Sequence, residues 1–468
     1  LGCFFDRNPD GTVHQKAFAG QTFDRTVHKG DLTGIEIINR LSEQVWSRHI
    51  DRLEEHRAIE LIRSRDGKSI SGVLLIDMRS GEFVLVQARA VLLATGGGPT
   101  MYKYHTPSGD KSCDGMAMAL RAGLTLRDME MVQFHPTGLL AGAGTRMTGT
   151  VLEEGLRGAG GYLLNGARER FMSRYDAHGE RATRDIVSRA IFAEMRSGHT
   201  TPNGGVYISM GHLGRDNVRR LFKGMVERCE DCGFDLAGGL VEVVPTAHYM
   251  MGGVVFGMDC ATELAGLFAA GEDTGGVHGA NRLGGNGVAN STVYGGIAGE
   301  TIAPWVARNG AFGEPDADEI ERAIARARHP LERPPADLSA LRDRLYEVMW
   351  DDAGIVRDAA SLARAGAELD ELDARLDASG IAGRDLAYNL TWHDWLNLKN
   401  LVLVSQSIVA SAAARENSRG AHYRSDFPDA GDLAASRYTC VNLDEDTFRV
   451  STRPVEFTRV RPGETLLR

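Results

Sequence analysis

Residues 278–287 read HGANRLGGNG, placing one arginine, Arg282, among four glycines and two asparagines. Glycine gives up packing and lets backbone adopt positive φ or approach a ligand closely. A lone guanidinium in such a turn suits a carboxylate, which it grips through two parallel N–H···O bonds. Four other stretches combine histidine, arginine and carboxylate with glycine: QFHPTG (133–138), TVLEEGLRGAGGYLLN (150–165), ERATRDIVSRA (180–190) and PTAHYMMGGV (245–254). Taken singly, each has an ordinary structural reading. His135 and His248 suit hydrogen-bonded core positions, Arg184 beside Asp185 suits a helix-start ion pair, and Glu154 with Arg157 suits an i,i+3 pair on a helix. Taken together, they form an ordered set that carries more weight than any one of them.

These residues need elements to hold them. The dipeptides Asp66-Gly67 and Ser80-Gly81 mark hairpin turns between β-rich runs. The run AVLLATGGG (90–98) is continuous and apolar, as a buried parallel strand is. It ends in Gly96, Gly97 and Gly98, where a doubly wound sheet binds its cofactor. GDKSCDGMAMALRAGL (109–124) continues as a helix. From 129 to 243 the sequence mixes loops with short elements, and strand-like sequence resumes at ELAGLFAAGE (263–272). The segment 314–335 pairs a charged helix with a proline-rich exit and marks a boundary. Beyond it, Leu338, Leu341, Leu345, Val348 and Met349 share one helical face, as do Leu398, Leu401, Val402 and Ile408, which predicts a helical bundle. The tail, 431–468, is polar and strand-like.

The chain of 468 residues suggests two or three domains, and 43% hydrophobic with 25% charged residues is a globular composition. A net charge of −10 argues against a nucleic-acid partner, and any anionic substrate needs locally placed arginines. No apolar run reaches the roughly 18 residues of a membrane helix, which predicts no direct membrane span. Six cysteines make no disulfide framework, and the lone Cys229-x-x-Cys232 reads as two ordinary thiols, so no metal is expected and the cytoplasm is the default location.

In their order, these stretches resemble the flavoprotein subunit of the succinate dehydrogenase and fumarate reductase family, with soluble relatives that include L-aspartate oxidase. The resemblance runs from QKAFAGQTFDRT (15–26) to SRGAHYRSDFP (418–428). GEDTGGVHGANRLGGNG (271–287), HPTG followed by RGAGGYLLN, and RDIVSR carry it most specifically. It implies an α/β fold: a split FAD-binding Rossmann-like domain (1–128 and 244–313), an inserted α+β capping domain (129–243), a C-terminal helical bundle domain (314–430) and a tail (431–468). It also implies an FAD-dependent oxidoreductase that interconverts succinate and fumarate, or a related small dicarboxylate, by hydride transfer to or from flavin N5 with an arginine proton shuttle. On the same resemblance His135, His248 and Arg282 bind the substrate, Arg184 carries the proton, and Glu154 and Arg157 relay it. Asp114 and Glu272 contact FAD beside Gly96 and Gly97, while Gly287 and Val288 offer the isoalloxazine a backbone contact. An iron–sulphur electron-transfer subunit is the implied partner, through which the chain would sit at the inner face of the cytoplasmic membrane.

Three departures bear on the substrate. Glu153 stands where the family has a substrate-binding threonine, and a carboxylate there repels the substrate unless it turns away or is protonated. The loop after HPTG is longer than the family's and offers Thr148 or Thr150 as a substitute hydroxyl. Ala159 replaces a glutamate. The G-x-G-x-x-G turn that cradles the FAD pyrophosphate is outside this sequence, which predicts weak FAD binding or none unless a further segment or a separate polypeptide completes the site. The alternatives are an amino-acid oxidase resembling L-aspartate oxidase, in which Glu153 meets an amino group, a soluble reductase of another unsaturated acid, and a catalytically silent structural subunit.

Overall fold

The computed structural model describes residues 2–142 and 144–465. Strands His56–Arg63, Ile70–Asp77 and Phe83–Gln87 form an antiparallel meander, with Gly67 and Gly81 at positive φ in its two turns. Strand Val91–Leu93 pairs in parallel with Leu267–Ala269. Both strands end on the same side. Residues 95–98 and the turn Gly271–Asp273 therefore meet beyond their carboxyl ends, where sheets of this kind bind ligands. Helix Asp114–Arg121 packs behind that edge with every residue from Gly115 to Leu120 buried.

A second sheet, wholly antiparallel, runs in the order Val132–Leu139, Leu240–Met250, Val206–Ser209, Tyr162–Leu164. All eight residues of Val132–Leu139 are buried. Its core joins Leu156, Leu163, Val187, Ile191, Val206 and Ile208, the two central ones coming from helix Arg184–Arg196. Strand Leu240–Met250 crosses the boundary expected at 243, so the capping sheet and the segment after it share one unbroken strand.

Four helices follow, Ala317–Arg328, Leu338–Asp351, Ala359–Ala378 and Leu390–Ala414, each opened by an Asp or Asn whose side chain accepts from a first-turn backbone N–H. Both leucine-rich faces read from the sequence are buried between them. The tail forms the hairpin Arg437–Asp444/Thr447–Pro454, which joins Leu126–Arg127 of the first part of the chain. The result is the expected α/β architecture: an α/β unit split by an inserted sheet domain, then a helical bundle. Helix Thr33–Trp46 buries none of its residues, and Ile35 and Ile38 are 55% and 59% exposed. Among the described residues no helix is long and apolar enough to cross a membrane.

Candidate active site

The pairing of Val132–Leu139 with Leu240–Met250 shifts register twice, between Val244 and Thr246 and between Ala247 and Tyr249. His248 is the extra residue of the second shift, and a bulge of this kind re-aims a side chain. Its ring lies 5.4 Å from that of His135, edge to face. Burial, followed by the charge of Arg184, holds both imidazoles well below their ordinary pKa, so both are neutral at pH 7. The Thr137 N–H donates to His135 Nδ1 at 3.3 Å, which leaves the ring proton on Nε2 as a donor. Thr106 Oγ1 holds His248 Nδ1 at 2.8 Å.

Two arginines converge on one oxygen. Gln133 Oε1 accepts from Arg184 Nη1 at 2.9 Å and from Arg282 Nη1 at 3.1 Å. Gln133 Nε2 donates to the Arg282 carbonyl at 2.7 Å and to Asn281 Oδ1 at 3.2 Å, fixing the turn that carries Arg282. The Arg282 guanidinium lies 4.3 Å from the centre of the Tyr249 ring, and its Nε is buried without a partner. A Cβ at Gly287 would come within 2.5 Å of Arg282 Nη2, so glycine is required for the arginine to lie flat there. Burial, then repulsion from Arg184, brings the Arg282 pKa down to about 10.

Behind Arg184 runs a continuous ion-pair chain. Arg184 Nε and Nη2 donate to Glu154 Oε2 at 3.2 and 2.9 Å, and Arg157 Nη2 donates to Glu154 Oε1 at 2.7 Å. Burial works to raise the Glu154 carboxyl, but Arg184 and Arg157 outweigh it and hold it below the usual range. Asp185 does not pair with Arg184. It accepts from Asn281 at 2.7 Å and so ties the capping helix to the Arg282 turn.

The edge of the parallel sheet fits the flavin that the sequence implies. A Cβ at Gly97 would stand 2.2 Å from Glu272 Oε1, and Gly96 has φ +79°, so the turn closes on the acid only with glycines. Asp273 is fully buried, accepting from Thr95 Oγ1 and the Gly96 N–H, and burial raises it to about 6. Burial raises Glu272 to about 7, and its Oε1 accepts from the Met250 N–H at 2.8 Å. Helix Asn286–Arg308 starts beside the same turn, Asn290 Nδ2 donating to the Gly271 carbonyl at 3.1 Å, and Asn290 Oδ1 is buried there without a partner among the described residues. These acceptors suit ribityl hydroxyls, and the helix start suits the electron-rich end of a flavin ring.

The structure thus brings together His135, His248, Arg282, Arg184, Glu154 and Arg157, with Glu272, Gly96, Gly97 and Gly287 on the adjoining edge. Asp114 sits at the start of the helix behind the edge: its Oδ1 accepts from Arg57, Ser112 and Asn400, and the next residue, Gly115, donates its N–H to Thr95 Oγ1 at 3.1 Å. Val288 is half exposed on the outer side of its helix. Glu153 has its carboxylate on another cation, accepting from Lys16 Nζ at 2.6 Å. Thr148 and Thr150 are not substitutes for it, since their hydroxyls are bound to the Gly142 and Met147 carbonyls of their own loop. Gln133, Tyr249 and Asp273 were not singled out by the sequence. Gln133 had a signal, being two residues from His135 and therefore on the same face of a strand.

A glycine-bounded, acid-lined sheet edge thus faces a cluster of buried arginines and two neutral histidines. The FAD binding domain family matches residues 1–288, and the fumarate reductase flavoprotein C-terminal family matches residues 342–466. An uncharacterised FAD-dependent oxidoreductase of Methanocaldococcus jannaschii is 40% identical over 92% of this chain and 77% of its own length. A polypeptide of the CoM/CoB fumarate reductase of Methanothermobacter marburgensis is 39% identical over 92% of this chain and 77% of its own. The FrdA structure of Escherichia coli quinol fumarate reductase superimposes with a TM-score of 0.91 at 31% identity, covering 99% of this chain and 82% of that one. The chain belongs to the fumarate reductase/succinate dehydrogenase flavoprotein family and is an FAD-dependent oxidoreductase.

Proposed function

We propose that this chain interconverts succinate and fumarate, or a closely related unsubstituted dicarboxylate. The observation that carries the reading is charge. Arg184 and Arg157 are buried on the carboxylate of Glu154, Arg282 is buried beside them with only Glu272, raised to about 7, as its nearer acid, and both histidines are neutral, so the cluster carries a net positive charge. A dicarboxylate supplies the counter-charge. An amino-acid substrate would need a free carboxylate for its ammonium, yet Glu154 is held by two arginines and Glu153 by Lys16. The aspartate-oxidase reading is therefore disfavoured.

When bound, FAD supplies the two-electron redox chemistry. The residues of this chain position and protonate. Arg282 clamps one carboxylate, with Nε and one Nη free for a fork. The Nε2–H of His135 binds the substrate, with His248 beside it. Arg184 holds a proton beside the carbon to be protonated. An unperturbed guanidinium is a weak acid with a pKa above about 12, so it must be recharged at once. Glu154 and Arg157 are placed to do that. The capping sheet excludes water from the transfer. Electrons would leave through an iron–sulphur partner at the membrane, since the cysteines here form no cluster-ligand pattern.

The deciding experiment is the anaerobic visible spectrum of the purified protein before and after succinate is added. Bleaching of a flavin band supports the reading. A flavin band that succinate leaves untouched overturns it in favour of another acid, and a colourless protein supports the silent-subunit alternative. A second expectation concerns Gln133. Gln133→Leu should lower kcat/KM by about tenfold to a hundredfold, moving KM and kcat together, because one acceptor serves both arginines. Steady-state kinetics with reduced viologen and fumarate measure this, and a change in only one parameter would show that the oxygen serves only one arginine.

A further inference from the structure

The N-terminal residues 15–31 lie across the capping domain. The Gly20 N–H donates to the Arg181 carbonyl at 2.9 Å, and Asp31 accepts from the Met225 N–H at 3.2 Å. The Phe18 ring packs where a Cβ on Gly284 would sit, beside Glu154. Within this strap Lys16 makes the charged contact. Its ammonium lies 2.6 Å from Glu153 Oε1 and 5.2 Å from the centre of the Phe222 ring, and both partners of the pair are less than a fifth exposed.

Glu153 has active-site residues on either side. The preceding Leu152 is paired with Thr137, whose N–H orients His135, and the next residue is Glu154 on Arg184. The backbone of Glu153 thus lies between residues that hold the active site, while its carboxylate rests on Lys16. Bound to Lys16, it leaves the arginine cluster net positive. Turned inward, it would reduce that charge and stand against a substrate carboxylate.

We propose that Lys16 is a specificity-determining residue that holds Glu153 out of the substrate pocket and so keeps the pocket selective for dianions. The proposal rests on the dicarboxylate reading above. It assigns the N-terminal strap a part in substrate choice, and it explains how a glutamate is tolerated where a hydroxyl would serve as a ligand.

The test uses the flavin-loaded protein and two readouts. One is KM and kcat for fumarate. The other is the Kd of malonate, a dicarboxylate with a single CH₂ that cannot be dehydrogenated across a carbon–carbon bond. Lys16→Met should raise fumarate KM and malonate Kd by about tenfold to a hundredfold while kcat changes less than about threefold. Lys16→Arg should keep wild-type affinity, and the double variant Lys16→Met/Glu153→Gln should regain most of it. A merely structural strap would not be rescued by removing the Glu153 charge, so failure of the double variant overturns the proposal. An unchanged KM and Kd in Lys16→Met overturn it as well. Wild-type protein that binds neither acid overturns the dicarboxylate reading and this inference with it.

Discussion

Arg184→Lys is expected to lower turnover by about a hundredfold to ten-thousandfold, the range a positioned proton donor contributes, while malonate affinity stays within a few-fold. The guanidinium meets Glu154 through Nε and Nη2 and Gln133 through Nη1, and lysine has one nitrogen on a flexible stem to replace all three contacts. The ammonium keeps the positive charge, so the dianion is still attracted. It loses the fixed direction toward substrate and the two-point contact with the relay carboxylate. Loss in kcat with KM preserved is the signature of an interaction used only during the chemical step. Turnover near wild type would sink the proton route through Arg184.

Arg282→Ala should do the reverse and remove binding. Truncating one partner of a buried charge pair costs about 2–5 kcal/mol, which is roughly a thirtyfold to several-thousandfold loss of dicarboxylate affinity. Alanine also strips the Tyr249 ring of its cation and releases the Gln133 oxygen to Arg184 alone. Isothermal titration with malonate reads the loss without relying on turnover. Binding within a few-fold of wild type would mean that Arg282 is not the carboxylate clamp.

Much of this site was legible in the sequence because its chemistry is local. Glu154 and Arg157 are three residues apart, so a single turn of helix brings them together, and the glycines around Arg282 announce a close approach of backbone. The hairpin turns at Gly67 and Gly81 followed from their turn dipeptides, the parallel strand at Val91–Leu93 from a continuous apolar run, and both leucine-rich helix faces from periodicity. What could not be read was long-range pairing. Lys16 meets Glu153 from 137 residues away, and nothing in either local pattern reveals the other. The role of Gln133 depends on two arginines from separate segments arriving at one oxygen. The boundary at 243 was drawn where composition changes, whereas the strand pairing continues through two bulges to Met250.

That shared ladder sets which changes of length the chain tolerates. His135 and His248 sit on two neighbouring strands held in one register around bulges at Pro245 and His248, so one inserted or deleted residue between Val132 and His135 or between Leu240 and His248 would shift one histidine against the other. The two imidazoles would then part. The connection from 139 to 152 is under no such constraint. It leaves one strand and returns alongside it through the Gly138–Val151 bridge, and extra residues between those points bulge outward without moving either histidine. Changes of length are thus admitted in the connection from 139 to 152 and refused within the paired residues that carry the histidines.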